Sequence, residues 1–342
     1  MSSRRATRRQ YILGIVMLPA SMVPFAAYGT ATPEGRLLRD RVVVAVSPPH
    51  LPAISAEDRE QIAATAPDYD GAVMALVYHG VGDVGGGSNG GEGEGGSYTI
   101  EPEQFGEHLV ALQAAGLVPV TASDVADARA GRRRLPPKAV MISFDDGRSD
   151  AMLWADPLLE EAGVSATMFV IASAADSRGA YYADWEELRT YAGSGRWDLQ
   201  AHTDDLHRMQ LTRDGELPAL TSLADDETLE DYRIRISQDL ERSSDRIADQ
   251  TGTRPVALAY PFGAYGADRT NHPGIRAALE AEVGARFEIA FHQDDQDDVA
   301  LVGCADDALG LRRLDVQRWT GVELIAEIAR SSDHFDPSRR CP

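Results

Sequence analysis

Two acidic residues and two histidines carry most of the chemical information in this chain. Asp145 and Asp146 lie side by side in Ser143-Phe144-Asp145-Asp146-Gly147, and His202 and His207 bracket Thr203-Asp204-Asp205-Leu206. The acidic pair follows an apolar run, Ala139-Val140-Met141-Ile142, and His202 follows Trp197-Asp198-Leu199-Gln200-Ala201. Each pair is therefore expected where a strand ends, the place where α/β proteins bind ligands. One carboxylate and two imidazoles form a three-ligand set that leaves a divalent metal with open positions, as a catalytic site requires. The other carboxylate stays free to act as a base. Alone, adjacent aspartates can be a solvated turn or a helix cap, and a histidine pair can arise by chance. Their joint occurrence at two strand ends is more specific.

The elements that must hold these groups can be read on either side of them. Gly147 permits a tight backbone turn, and Arg148-Ser149-Asp150 can start a helix whose apolar positions include Met152, Leu153, Leu158 and Leu159. From Ile100 onward helical and strand-like segments alternate. The pattern predicts helices over 104–115, 152–162, 229–250, 275–283 and 322–329, and strands over 117–121, 138–144, 166–171, 256–260, 287–291 and 311–316. Such alternation predicts a parallel sheet with helices outside, and about seven strands close most naturally into a distorted (β/α) barrel.

Composition sets the frame. The 342 residues are 43% hydrophobic and 25% charged, enough for one large core. The formal charge of −21 excludes nucleic acid as a partner and repels anionic lipid, while it favours a polymer that gains positive charge. The first residues read as an export signal over 1–31: Thr7-Arg8-Arg9-Gln10-Tyr11-Ile12-Leu13 resembles a twin-arginine signal, and an apolar stretch follows to Ala27. Pro19 and Pro24 interrupt that stretch, which leaves either a cleaved leader or an uncleaved membrane tether. A secreted or cell-surface location follows as the expectation. Residues 32–72 read as an N-terminal arm with an apolar run, Arg41 to Val46, residues 73–335 as the main domain, and 336–342 as a tail. The stretch holding Gly85-Gly86-Gly87 and Gly90 to Gly96 cannot pack a core, and is a loop that either gates a cleft or is a plain insertion. Cys304 and Cys341, the two cysteines, can tie the tail to the domain or remain two thiols.

The motifs resemble those of the polysaccharide deacetylases, the NodB-homology domain of carbohydrate esterase family 4. Ser143 to Gly147 resembles the first motif, His202-Thr203 through His207 the second, and Tyr260-Pro261-Phe262-Gly263-Ala264-Tyr265 the third. Most members place one residue fewer between the two histidines. The longer form, closed here by Asp205-Leu206-His207, is similar to the enzymes that de-N-acetylate poly-β-1,6-N-acetylglucosamine. In that subgroup the chain is circularly permuted, and the catalytic acid is a histidine near the start of the domain in a Tyr-His pair after an apolar strand. This chain reads Val73-Met74-Ala75-Leu76-Val77-Tyr78-His79, and no late Leu-x-His motif follows Leu311 to Val316. The resemblance covers roughly residues 73 to 330.

The resemblance implies a circularly permuted, distorted (β/α) barrel and metal-dependent amide hydrolysis. Asp146, His202 and His207 would hold Zn²⁺ or a similar ion, Asp145 would be the base and His79 the acid. The oxyanion would meet the backbone N–H of Phe262, with Tyr260 and Pro261 completing that turn. Asp204 and Asp205 are rival ligands or turn groups, and Tyr181, Trp185 and Tyr265 are candidate platforms for sugar rings. The expected substrate is an extracellular N-acetylated polysaccharide, poly-β-1,6-N-acetylglucosamine first. Chitin oligomers or peptidoglycan are the alternatives within the same chemistry, and a non-catalytic polysaccharide-binding protein of the same fold is the alternative outside it.

Overall fold

The computed structural model describes residues 32–82, 98–177, 179–293 and 301–342. The expected export signal, all of the glycine-rich stretch from Gly85 to Gly96, and residues 294–300 lie outside the described residues.

Among the described residues two helices, α1 (Pro33–Val46) and α2 (Ala56–Thr65), precede the first strand, β1 (Val73–Tyr78). The arm is thus helical where its run of valines reads locally as extended chain. Thr32 accepts a hydrogen bond from the Gly35 N–H and Pro33 occupies the first turn, so a capped N-terminus outweighs the strand preference of Val42 to Val46. Leu38, Val42, Val43 and Val46 remain exposed on that helix.

After β1 come a short parallel pair, β2 (Gly80–Val81) and β3 (Thr99–Ile100), then α3 (Pro102–Ala114), β4 (Val118–Val120), α4 (Ala122–Arg129), β5 (Ala139–Phe144), α5 (Ser149–Ala162), β6 (Ala166–Val170), α6 (Trp185–Gly193) and β7 (Trp197–Ala201). A hairpin of β8 (Met209–Thr212) and β9 (Gly215–Pro218) leads to α7 (Leu229–Thr251), β10 (Ala257–Ala259), α8 (Ile275–Gly284), β11 (Ile289–Gln293), β12 (Leu301–Val302), β13 (Leu311–Asp315) and α9 (Gly321–Asp333). The longest helix, α7, has clear stops. Thr228 and Asp231 form a capping box at its start, and Gly252 ends it with a left-handed φ of 79°.

Seven parallel strands close a ring in the order β1, β5, β6, β7, β10, β11, β13 and back to β1. β4 adds to β5 in parallel and β12 to the start of β1 antiparallel. Alternate residues of β1 serve two cores, as the two-residue period of a strand demands. Val73 and Ala75 join Met141, Phe169, Ala259 and Phe291 inside the ring, capped by Val125 and Ala126 of α4. Met74, Leu76 and Tyr78 face the helices with Phe105, Phe144 and Leu158. Cys304 and Cys341 form a disulfide, and the Cys341 N–H donates to the Gly71 carbonyl, so the tail is tied beside the entry to β1.

Candidate active site and metal centre

The site is assembled by strand register. β1 and β5 run side by side from Val73 opposite Ala139 to Tyr78 opposite Phe144. One residue further, the Asp145 N–H donates to the Tyr78 carbonyl at 3.1 Å. His79 and Asp145, far apart in sequence, therefore leave the same rim of the barrel. Asp146 follows Asp145, His202 leaves the end of β7, and Phe262 leaves the end of β10.

The turns after β5, β7 and β10 each hold one residue in the left-handed backbone region: Asp146 at φ 75°, Thr203 at 71° and Phe262 at 58°. Such conformations are unfavourable for residues with a Cβ and persist where surrounding structure fixes them, most often at functional sites. Gly263 shows how tight the third turn is. Its φ is 66°, and a Cβ there would lie 2.3 Å from the Gln293 carbonyl oxygen.

Asp146, His202 and His207 converge, with their donor atoms all within 4.8 Å of one another. The His202 Nδ1 lies 2.8 Å from the Ala259 carbonyl. A carbonyl can only accept, so Nδ1 carries a hydrogen, and Nε2 is the nitrogen turned into the site, 3.5 Å from Asp146 Oδ1. The His207 Nε2 lies 3.4 Å from the same oxygen. Burial, followed by the neighbouring charge of His202, pushes His207 down to about 4, which keeps it neutral as a ligand must be. Burial works against the charge of Asp146, but the His202 hydrogen bond and the nearby imidazoles outweigh it and hold the carboxyl well below the usual range. For His202 the order is similar. Burial lowers its basicity, and Asp145 and Asp146 more than restore it. An ionised carboxylate and two imidazoles, one with its tautomer fixed from behind, fit a divalent cation.

Asp145 differs from its neighbour in its hydrogen-bond partner. It is buried, and both its oxygens accept from Arg313, at 2.6 and 2.7 Å. Burial would raise its pKa, and the Arg313 charge and that of His202 overcome this and keep it ionised. Arg148 immediately precedes α5, and its side chain is bound bidentately by Asp150 at 2.9 and 2.6 Å. A Cβ on Gly80 would strike its guanidinium, so the residue after His79 must be small. The ring of His79 packs on Tyr98 at 4.8 Å. The Phe262 N–H has no acceptor among the described residues.

A cleft of about 310 Å³ joins these groups, lined by His79, Asp145, Asp146, His202, His207 and Phe262, with Tyr98, Arg148, Tyr181, Arg269 and Gln293 around them. Not every expected residue reaches it. Tyr260 and Pro261 are buried beneath the turn, and the Tyr260 hydroxyl donates to the Leu309 carbonyl, so of that trio only Phe262 faces the cleft. Of the aromatic platforms only Tyr181 lines it. Trp185 donates to Asp176 at the start of α6, and Tyr265 stacks on His292 at 4.3 Å. Asp204 faces Arg242 and Arg246, and Asp205 points to solvent beside Arg208.

Sequence reading missed Arg313 and the Arg148–Asp150 pair. A signal for the first existed: Arg313 shares the inward face of β13 with Leu311, and a charged residue on an apolar strand face implies a buried partner.

The fold and site together define a (β/α)-barrel protein with an open site of one carboxylate and two imidazoles. Residues 132–276 match the sequence profile of the polysaccharide deacetylases. It is 24% identical over 231 residues to a poly-β-1,6-N-acetyl-D-glucosamine N-deacetylase of Escherichia coli K12, across 61% of this chain and 33% of that protein. It is likewise 24% identical over 139 residues to the Staphylococcus aureus (strain MSSA476) protein of that name, across 40% of this chain and 44% of that protein. The match therefore spans less than half the length of either relative. Among solved structures, a de-N-acetylase from Aggregatibacter actinomycetemcomitans superposes with a TM-score of 0.61 at 22% identity, covering 74% of this chain and 99% of that one. IcaB from Ammonifex degensii gives 0.58 at 22% identity, covering 77% and 97%. These structural likenesses establish the shared barrel.

Proposed function

We propose that this protein removes N-acetyl groups from an extracellular N-acetylglucosamine polymer, poly-β-1,6-N-acetylglucosamine by its likeness to the E. coli and S. aureus relatives. The observation that carries the reading is the meeting in one cleft of an ionised buried carboxylate, a histidine on the neighbouring strand, an unpaired backbone N–H and a three-ligand cation site. Asp146, His202 and His207 are the groups that would hold the metal, and the mixed carboxylate and imidazole set favours zinc. A divalent cation bound there would polarise the acetamide carbonyl and acidify the attacking water.

The remaining chemistry falls to the chain's own groups. Asp145, kept ionised by Arg313, accepts the proton of the attacking water. The Phe262 N–H, fixed by its strained turn and lacking an internal acceptor, donates to the carbonyl oxygen as it gains charge. His79 gives a proton to the departing amine, and its adjacency to Asp145 through the β1–β5 register puts acid and base on one rim. Tyr181, with the Arg148 guanidinium 4.8 Å from its ring centre, is one of the aromatic surfaces of the cleft that a sugar could meet.

Export is part of the same reading. A disulfide persists in an oxidising compartment, so the Cys304–Cys341 bond supports a secreted or surface location, and the Arg8-Arg9 leader supplies the route. Whether secreted or tethered, the protein would meet its polymer outside the cytoplasm.

The test is acetate release from β-1,6-linked N-acetylglucosamine oligomers, from chitin oligomers and from peptidoglycan fragments, each with and without Zn²⁺. Preference for the β-1,6 oligomers supports the substrate; turnover confined to another member of the panel moves the assignment to that polymer.

A further inference from the structure

The segment between the two metal-site histidines is held from behind by a residue on a distant helix. Asp239, in the middle of α7 and 1% exposed, accepts the Asp204 N–H on Oδ1 at 2.9 Å and the Asp205 N–H on Oδ2 at 2.8 Å. The opposite side of the same segment is tied to the end of β6. The Ala172 N–H donates to the Thr203 carbonyl at 3.0 Å, and the Ser173 N–H and hydroxyl both donate to the Asp204 carbonyl, at 3.1 and 2.5 Å. Thr203, left-handed at φ 71°, sits inside this clamp.

Charge is balanced around it. Arg242 lies 3.6 Å from Asp239 and donates to Asp204 at 2.9 Å, and Arg246 approaches the other oxygen of Asp204 at 3.2 Å. Neither Asp239 nor Asp204 lines the cleft. A buried carboxylate that meets two successive backbone N–H groups is a strong, geometrically exacting contact. Here it is spent on the four-residue segment whose shape sets the separation of His202 and His207.

On the reading that Asp146, His202 and His207 hold a divalent metal, we propose that Asp239 is a positioning residue for that metal. By pinning the Asp204 and Asp205 amides it fixes the left-handed turn at Thr203 and so holds the two imidazoles at ligand spacing. Groups behind metal ligands commonly alter affinity by about 10- to 100-fold when removed.

The experiment compares wild type with Asp239→Asn, which replaces one acceptor oxygen with an NH₂ that must face a backbone N–H. Chelator-stripped protein is titrated with Zn²⁺ against a chromophoric competitor, and Tm is measured with and without Zn²⁺. The expected result is a Kd for Zn²⁺ weaker by about 10- to 100-fold, with a smaller rise in Tm on adding Zn²⁺ than wild type shows. An unchanged Kd, with Tm lowered equally in both conditions, assigns Asp239 to stability alone and overturns the proposal. Should Asp239→Asn not fold, amide exchange on wild type decides. The Asp204 and Asp205 amides should exchange slowly and gain protection with Zn²⁺, and fast exchange of both in the Zn²⁺-loaded protein overturns it. Failure of wild type to bind Zn²⁺, or any divalent cation tested, strikes the metal reading itself, whereas tight binding by wild type and variant alike strikes only the role of Asp239.

Discussion

Arg313 holds Asp145 by both oxygens, at 2.6 and 2.7 Å, from a strand 168 residues further along the chain. The two are buried together on the inward side of the barrel, and the pair explains how a carboxylate can stay charged there. It also divides the adjacent aspartates by role. Asp145 is committed to Arg313, while Asp146 turns on its left-handed backbone toward His202 and His207.

Arg313→Gln leaves Asp145 buried without its cation. Removal of one partner from a buried pair destabilises by about 3–5 kcal/mol, read by urea unfolding. The sign of the pH effect follows from the direction of the shift. Arg313 lowers the Asp145 pKa, so its loss raises it, and the base is protonated at higher pH. The acid limb of the pH–kcat profile should move toward neutrality. An acid limb that stays in place would remove Asp145 from the role of base.

His79→Gln keeps size but removes the proposed proton donor. Turnover should fall by about 10²- to 10⁴-fold with little change in KM. Near wild-type kcat would transfer the acid role to another group.

His108 provides a stability test away from the reaction. It is fully buried, its Nε2–H donates to the Trp319 carbonyl at 2.7 Å, and its Nδ1 faces the Tyr78 hydroxyl at 3.2 Å. Burial pushes its pKa down to about 4, partly offset by the Trp319 carbonyl. The unfolded chain therefore binds a proton below about pH 6.5 that the folded chain refuses until about pH 4. Stability is full above that window and falls as pH drops through it, by about 3 kcal/mol for this group. His108→Gln should flatten that fall in unfolding experiments between pH 7 and 4.5. An unchanged slope would show that His108 is not the group responsible.

Gly263→Ala places a methyl group 2.3 Å from the Gln293 carbonyl oxygen on a backbone at φ 66°. The change should destabilise by about 2 kcal/mol or more and reduce turnover through the displaced Phe262 N–H. Full activity with unchanged Tm would mean that the third turn tolerates rearrangement.

Much of this site is local in sequence and could be read there. Asp145-Asp146-Gly147 and His202 to His207 each sit at the end of a strand announced by its own apolar run, and the barrel follows from the alternation around them. What stayed hidden depends on pairing across the ring. Arg313 shows in the sequence only as a charge on an apolar strand face, and its partner emerges once β13 is placed near Asp145; Asp239 gains meaning once α7 packs on the His202 turn. Tyr260 and Pro261 belong to a contiguous motif, but contiguity does not say which side chain faces the cleft; burial turns those two inward and leaves Phe262. The helix at Pro33–Val46 was obscured for a different reason, because a favourable N-cap outweighed a run of β-branched residues.

The most direct test of metal-dependent amide hydrolysis is metal content measured together with acetate release on one set of proteins: wild type, His207→Ala and Asp145→Asn, assayed on N-acetylglucosamine oligomers. Wild type should hold one divalent ion per chain and release acetate, His207→Ala should lose both, and Asp145→Asn should keep the ion while losing most turnover. Undiminished metal and acetate release in His207→Ala would contradict the account.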